Sequence, residues 1–126
     1  MKLKNFLALC TALMASAWAC ALTVAPYSPE AFAKLQAADA RTVLHFHADW
    51  CPTCRAQDKA LEVLKADPSL DVIVLSVDYD KETELKRQLN VRSQSTFIVY
   101  RGKAERGRQI GETSPEGIRK ALRSSL

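Results

Sequence analysis

The chain has 126 residues, of which 48% are hydrophobic and 25% charged, and its formal net charge is +4. This length allows one domain, and the ordinary composition excludes a disordered or low-complexity protein. The sequence contains no nucleic-acid-binding motif, so we expect no nucleic-acid partner. The charge is uneven, because residues 22–85 carry −5 and residues 86–126 carry +7. A basic half can steer acidic partners or anionic lipids, or form an ordinary solvated face.

The first 21 residues have the layout of a secretory signal peptide. Lys2 and Lys4 provide positive charge at the start, residues 6–14 are apolar, and small residues follow. The apolar stretch is shorter than the ~20 residues that a permanent membrane-spanning helix needs. We therefore expect an exported protein that resides in the periplasm; an uncleaved membrane anchor is the alternative.

Cleavage of this segment is expected after Ala19 or after Ala21, because each of these residues ends an Ala-x-Ala pattern. The folded domain would then comprise residues 22–126. Cys20 lies between the two cleavage positions, and its lipidation, as in a bacterial lipoprotein, would tether the domain to a membrane. The sequence leaves these alternatives open.

Strand-like and helix-like segments alternate through the predicted domain. The strands are apolar or β-branched runs bounded by turn residues, and two helices begin at Ser-Pro-Glu triplets, which combine an N-cap with a proline at the first helical position. This alternation and a final hairpin predict an α/β fold with a mixed central β-sheet flanked by helices on both faces. The predicted elements are strand 22–24, helix 29–38, strand 42–47, helix 52–65, strand 71–78, helix 81–89, strand 96–100, strand 108–111 and helix 115–123.

Cys51 and Cys54 form a C-x-x-C pair at the start of helix 52–65, directly after strand 42–47. Unpaired N–H groups and the positive end of the helix dipole favour a thiolate there, and the thiolate is the reactive form of cysteine. The spacing places both thiols on one helix face, close enough to form a disulfide. A disulfide closing so short a loop stabilises a fold weakly. We therefore predict a catalytic pair, in which one cysteine attacks a partner disulfide and the other resolves the mixed disulfide.

The element order and three sequence segments resemble the thioredoxin family. The segments are Phe-His-Ala-Asp-Trp-Cys at 46–51 with the following Cys54, Val-Arg-Ser-Gln-Ser-Thr-Phe at 91–97, and Arg-Gly-Lys at 101–103. The resemblance covers the whole predicted domain. It implies the thioredoxin fold and a thiol–disulfide oxidoreductase that needs no cofactor and acts on protein disulfides.

The resemblance also implies roles for individual residues. Cys51 is expected to be the exposed nucleophile and Cys54 the buried resolving thiol. Trp50 would shield the disulfide and offer a flat surface to partner chains; the alternative is that it only packs in the core. The residues expected to contact the substrate are Trp50, Pro52, Thr53, Gln94 and Ser95.

Ser95 stands where the family usually has a cis-proline. A cis peptide bond before a residue other than proline costs ~3 kcal/mol, so we expect a trans bond at Ser95. In the family, that proline presents the preceding backbone to the substrate and shields the thiols from metal. We therefore hypothesise altered substrate choice or weakened activity; a local loop change that leaves docking intact is the alternative.

His45 stands where the family often has a buried acid that takes the proton of the resolving cysteine. A histidine with an unperturbed pKa of ~6.5 can act as that base, so His45 is predicted to be catalytic. The alternative is a core histidine whose hydrogen bonds are satisfied. His47 lies two residues further along the strand, so its side chain is expected on the same face of the sheet.

Two functions of other classes compete with this prediction. A periplasmic metal carrier would hold zinc or copper(I) with Cys51, Cys54, His45 and His47. No second C-x-x-C or H-x-x-x-H pattern supports a metal site, so we predict none. The other competitor is a redox-inactive binding module that keeps the fold and the cysteines but exchanges no disulfides.

The residues beside the cysteines predict the direction of electron flow. Strong oxidants of this kind have a heavily stabilised thiolate. Here Thr53 is uncharged and Pro52 removes a backbone donor, so both leave the thiolate less stabilised. Arg55 acts in the opposite sense, because it adds positive charge nearby. We expect a moderately reducing pair. A reductant in an oxidising compartment needs a source of electrons, so we expect a membrane thiol–disulfide reductase as electron donor.

Overall fold

Residues 21–126 are described by the computed structural model, which gives five strands and four α-helices in this part of the chain. The predicted signal peptide, apart from Ala21, and the lipidation site Cys20 lie outside the described residues. No helix from residue 21 onward is both long enough and apolar enough to cross a bilayer.

The strands and helices follow the predicted order. They are β1 (Thr23–Pro26), α1 (Pro29–Ala37), β2 (Arg41–His47), α2 (Pro52–Leu64), β3 (Ile73–Asp78), α3 (Thr83–Gln88), β4 (Thr96–Arg101), β5 (Ala104–Ile110) and α4 (Pro115–Leu122), with a final 3-10 turn at Arg123–Ser125. Ser28 and Ser114 cap α1 and α4 through their side chains, as their sequence pattern predicts. β5 begins four residues earlier than predicted; the prediction missed these residues because they lack the apolar alternation typical of a strand.

The five strands form one mixed sheet in the order β1-β3-β2-β4-β5. β2 is central, parallel to β3 and antiparallel to β4. Residues 42–46 of β2 are all buried, as expected for a strand covered on both faces. In this register His45 lies opposite Ser76 of β3 and Phe97 of β4. The central strand therefore carries a histidine into the interior and ends beside the first turn of α2.

Two apolar layers cover the sheet, one on each face. The layer that includes Val43 contains residues of α2 and α4, such as Leu61 and Ile118. The layer that includes Leu44 and Phe46 packs against residues of α1 and α3. Helices on both faces of a mixed sheet confirm the predicted α/β class. The alternation along β2 points His45 toward α2, the helix that carries both cysteines.

Candidate active site

Cys51 is the N-cap of α2. Its Sγ accepts the backbone N–H of Cys54 at 3.1 Å, in the way a serine or aspartate oxygen caps a helix. Pro52 follows at the first helical position, where the absent N–H leaves no hydrogen bond unmade. Both cysteines are free thiols in this structure. The helix start thus offers a donor and a positive dipole end to a sulfur that becomes negative.

The two thiols are both buried. Cys54 is 0% exposed, as the resemblance implies, but Cys51 is only 2% exposed, so the expectation of an exposed nucleophile is wrong for this state of the protein. The reason lies in the packing: Ala48 forms a cluster with the two cysteines, and Tyr79 packs against that cluster. A substrate disulfide therefore reaches Cys51 only after a small displacement of the covering side chains.

Ser95 contacts both sulfur atoms. Its Oγ lies 3.2 Å from Sγ of Cys51 and 3.1 Å from Sγ of Cys54. No cis peptide bond occurs within residues 21–126, so the trans bond predicted at Ser95 is confirmed. The residue takes a left-handed backbone conformation with φ of 62°, which residues other than glycine adopt rarely and at a cost. Such strain is typical of functional sites.

The hydroxyl contact with the thiols was not predicted from the sequence. The signal for this contact in the sequence was Ser95 itself. The proline usual in the family has a ring without polar atoms, whereas serine brings a hydroxyl next to Cys51 and Cys54. Ser95 is held by its N–H, which donates to the Phe46 carbonyl at 2.9 Å. Its own carbonyl accepts from Gly111 N–H and from Gln57 Nε2, each at 3.0 Å. These bonds fix the hydroxyl between the sulfurs.

The two thiols differ in acidity. Burial raises the pKa of Cys51, but hydrogen bonds from Cys54, from Ser95 and from backbone amides outweigh it, and the net shift is downward. Burial raises the pKa of Cys54, and the hydrogen bond with Cys51 adds to that rise. The Cys51 thiol therefore loses its proton at a lower pH than the Cys54 thiol, as an attacking and a resolving cysteine require.

His45 is bonded to Gln57 and not to the cysteines. Gln57 Nε2 donates to the carbonyls of Ser95 and Glu112, so its Oε1 faces the histidine. His45 Nε2 therefore carries the proton and donates to that oxygen at 2.8 Å, while Nδ1 has no hydrogen-bond partner among the described residues. The ring stacks on Phe97 with centroids 4.4 Å apart. The catalytic role of His45 remains a prediction, because the ring is linked to the thiols only through Gln57 and Ser95.

We expect His45 to make the protein less stable in mild acid. Burial lowers the pKa of His45 from 6.5 to about 4, against the opposing effects of Gln57 and of the Asp58 carboxylate. Between these pH values the unfolded chain binds a proton that the folded protein does not, so the free energy of unfolding falls as pH falls from about 6.5 to about 4. The loss approaches about 3 kcal/mol and then levels off. Urea denaturation between pH 4 and pH 7 measures it.

The control for this prediction is a pair of histidine variants. His45→Asn should remove most of the difference in stability between pH 7 and pH 4.5, whereas His47→Asn, on the same strand but partly exposed, should retain it. Equal pH profiles for wild type and His45→Asn would show that other groups cause the loss.

His47 shares a face with His45, as predicted, and their ring centroids lie 5.5 Å apart. Its Nε2 is 2.8 Å from Asp58 Oδ2, so this histidine pairs with a carboxylate at the surface. Within residues 21–126 no group of three or more His, Cys, Asp or Glu side chains is placed to hold a metal ion. The metal-carrier alternative is therefore not supported, because each histidine already has another partner.

The predicted substrate-contacting residues surround the thiols at different depths. Trp50 is 58% exposed, and its Nε1 donates to Asp80 at 2.8 Å, so the indole is a fixed surface group and not a core residue. Pro52 is exposed, Thr53 and Gln94 are half-buried, and Ser95 is buried. A cleft of about 530 Å³ is lined by Trp50 and by residues at the ends of β1, β2 and β3, and neither Cys51 nor Cys54 lines it.

A C-x-x-C pair at a helix start, beside a mixed sheet, defines a class of α/β dithiol proteins. The thioredoxin family profile matches residues 23–124, and the chain belongs to this family. Thioredoxin-1 of Drosophila melanogaster is 36% identical over 69 residues, which are 54% of this chain and 64% of that protein. The thiol:disulfide interchange protein TxlA of Synechococcus elongatus is 35% identical over 77 residues, 59% of this chain and 40% of that protein. The chain thus spans less than two thirds of these curated relatives.

Solved structures confirm the thioredoxin fold. Trxlp from Edwardsiella tarda EIB202 superposes with a TM-score of 0.73 at 39% identity, covering 80% of this chain and 97% of that one. Thioredoxin from Trypanosoma brucei brucei superposes with a TM-score of 0.68 at 29% identity, covering 86% of this chain and 93% of that one.

Proposed function

We propose that the protein is an exported thiol–disulfide oxidoreductase that reduces protein disulfides in the periplasm through Cys51 and Cys54. The observation that carries the proposal is the pair of free thiols at the start of α2, where Cys51 Sγ accepts the backbone N–H of Cys54. Membership of the thioredoxin family supports the activity, as does the similarity to a protein named for thiol:disulfide interchange. A redox-inactive binding module would have no need of a thiolate held against a helix start.

The reaction has two exchange steps. The Cys51 thiolate attacks one sulfur of the substrate disulfide, forms a mixed disulfide, and releases the other substrate sulfur as a thiolate that takes a proton. Cys54 then attacks Cys51 Sγ, which breaks the mixed disulfide, forms the Cys51–Cys54 disulfide and releases the second substrate thiol. Two electrons pass from the protein to the substrate. The Cys54 backbone N–H stabilises the thiolate before the first step.

The surroundings of Cys51 favour the reducing direction. Arg55 adds positive charge nearby, but its guanidinium donates to the Asp49 carbonyl at 2.8 Å and makes no hydrogen bond to the Cys51 sulfur within residues 21–126. Thr53, between the cysteines, carries no charge. Hydrogen bonds stabilise the Cys51 thiolate, and no cationic side chain is bonded to it within the described residues. We therefore expect a moderate reduction potential for the Cys51–Cys54 pair. A periplasmic reductant of this kind would receive electrons from a membrane thiol–disulfide reductase.

The same surface would receive substrate and electron donor. Trp50 and Pro52 form its exposed part, and the Ser95 loop lies beside the thiols. Substrate selection at this loop would differ from that of family members with a cis-proline there, because the trans bond and the φ of 62° at Ser95 change how the preceding Gln94 backbone is presented. The residue offers a hydroxyl where those relatives offer a ring.

The turnover experiment uses a protein disulfide such as that of insulin, with dithiothreitol as the electron source. The protein should accelerate reduction catalytically, with many turnovers per molecule. Failure to accelerate reduction, in a sample whose Cys51 and Cys54 titrate as free thiols, would contradict the proposed activity.

Export is tested separately from activity. Expressed in a bacterial host, the protein should appear in the periplasmic fraction with a mass that corresponds to loss of 19 or 21 residues, the two predicted cleavage positions. A mass increased by a lipid at Cys20, in the membrane fraction, would support the lipoprotein alternative. An unprocessed chain in the cytosol would contradict export.

A further inference from the structure

We propose that the cleft beside Trp50 binds a basic side chain, lysine or arginine, of the substrate polypeptide, close in sequence to the cysteine that Cys51 attacks. The inference rests on the proposed exchange activity and names the class of substrate that the protein prefers. It assigns a binding role to Asp49, whose carboxylate the exchange reaction does not use.

The cleft lies where three parallel strands end. β1 and β2 both run parallel to β3, and the last residues of these strands, Pro26, His47 and Asp78, all line the cleft. Open α/β sheets bind ligands outside the carboxyl ends of their strands. The volume of about 530 Å³ is within the range of ~300–1,000 Å³ that is typical of ligand sites. Position and size therefore favour a binding site.

The cleft is lined by acidic side chains. Asp49, Asp78 and Asp80 line it, and no lysine or arginine is among the described residues that do so. Lys81 lies nearby, with Nζ 3.7 Å from Asp78 Oδ2, but its side chain is 83% exposed. Within residues 21–126 no group of three or more His, Cys, Asp or Glu side chains is placed to hold a metal ion. The spread carboxylates therefore suit an extended organic cation.

The fold makes little use of the Asp49 side chain. This side chain is fully exposed, and its one ion pair within the described residues is an approach of 3.8 Å to Nδ1 of His47. By contrast, Asp80 accepts Trp50 Nε1 at 2.8 Å, and Asp78 accepts backbone N–H groups of the turn that follows β3. Asp49 is therefore free to pair with an incoming cation.

Apolar side chains complete the lining of the cleft. They include Val24 and Pro26 of β1 and, next to the cysteines, Ala48 and Trp50. Lysine and arginine carry a charged head on an apolar stem, so the stem can contact these residues while the head meets the carboxylates. The indole, fixed by its hydrogen bond to Asp80, adds a surface for a cation–π contact. An acidic side chain would be repelled, and an uncharged one would leave the carboxylates without a partner.

One substrate segment can occupy both the cleft and the thiols. Trp50 directly precedes Cys51, and Ala48 lines the cleft and also packs in a cluster with both cysteines. Consecutive Cα atoms are about 3.8 Å apart, and an extended chain advances ~3.3 Å per residue. A basic side chain within about three residues of the attacked cysteine therefore reaches the cleft while the mixed disulfide forms.

A second copy of the chain is the competing occupant, because residues 86–126 carry a net charge of +7. Several arginines of this region are already paired with carboxylates of their own chain, namely Arg87, Arg108 and Arg119. The substrate is the better fit, because its attachment to Cys51 holds it beside the cleft.

The probes are three synthetic peptides that share one loop closed by a disulfide. They differ only in the residues flanking the loop, which are arginine, glutamine or glutamate. The measurement is the second-order rate constant for oxidation of the reduced protein by each peptide. Each constant is divided by the rate constant for reduction of the same peptide by dithiothreitol, which corrects for the effect of the flanking charge on the disulfide itself.

The wild type should react about 10-fold faster with the arginine peptide than with the glutamine peptide at low ionic strength, and slowest with the glutamate peptide. About 0.5 M salt should reduce this preference to less than about 2-fold, because exposed charges are screened. Asp49→Lys should abolish or reverse the preference.

Asp71→Lys is the matched control, since it makes the same change of charge at an exposed aspartate before β3, at the opposite end of that strand from Asp78. It should keep a preference of more than about 5-fold. Equal rates for the three peptides with the wild type, or equal loss of preference in both variants, would overturn the cleft assignment alone. A dimer at low salt that Asp49→Lys abolishes would assign the cleft to a second copy and also overturn it. Failure of every peptide to oxidise the reduced protein would instead contradict the proposed exchange activity.

Discussion

Replacing Cys51 by serine is expected to reduce catalysed disulfide reduction to the uncatalysed background. The cap at the start of α2 lowers the pKa of a thiol, but a serine hydroxyl there stays protonated and cannot attack a disulfide. The fold should be retained, because serine accepts the Cys54 N–H as readily as sulfur does. Insulin reduction by dithiothreitol measures the loss, and urea denaturation confirms the fold.

Cys54→Ser is the matched control, since it makes the same change at the other thiol. This variant should also lose turnover but should still attack, and it should accumulate a stable mixed disulfide at Cys51 that mass determination detects. The assignment of roles would be wrong if Cys51→Ser formed the mixed disulfide and Cys54→Ser did not.

Gln57→Ala is expected to lower the free energy of unfolding by about 2–4 kcal/mol. Its side chain is buried and bonds to His45, to the Ser95 carbonyl and to the Glu112 carbonyl. Alanine would leave these three polar groups without that partner. Each buried polar group left unpaired costs ~1–3 kcal/mol, and structural relaxation or a water molecule in the vacated space recovers part of that cost. Urea denaturation at pH 7 measures the change.

Gln88→Ala provides the control for that prediction. It makes the same substitution on α3, where the glutamine is exposed and, within residues 21–126, bonds only to Glu84, so it should change stability by less than about 0.5 kcal/mol. Similar losses in the two variants would show that the buried hydrogen bonds of Gln57 add little to the stability of the fold.

Much of the fold was predictable because its signals are local. The Ser-Pro-Glu caps at Ser28 and Ser114 and the apolar run that ends at Asp78 each depend on a few neighbouring residues. The C-x-x-C pair is equally local, so the position of Cys51 at a helix start followed from the sequence. β5 was shortened in the prediction because an exposed edge strand need not be apolar.

The site beyond the cysteines was less predictable, because it depends on contacts between distant segments. Gln57 lies 38 residues from Ser95 and 55 from Glu112, and no spacing rule joins them. The surroundings of Cys51 include Ser95 and a cluster against which Tyr79 packs, and both of these residues lie in loops far from Cys51 in the sequence. The burial of His45 on the central strand was predicted correctly. Its hydrogen bond to Gln57 could not be predicted, because it depends on how α2 packs against the sheet.

The most direct test of the account is the reduction potential of the Cys51–Cys54 pair, measured for the purified protein in glutathione buffers freed of metal. We expect a value near that of thioredoxin, about −270 mV, because hydrogen bonds and the helix start stabilise the Cys51 thiolate while the Arg55 guanidinium is bonded to the Asp49 carbonyl. A value near about −120 mV, typical of a strong periplasmic oxidant, would contradict the proposed direction of electron flow.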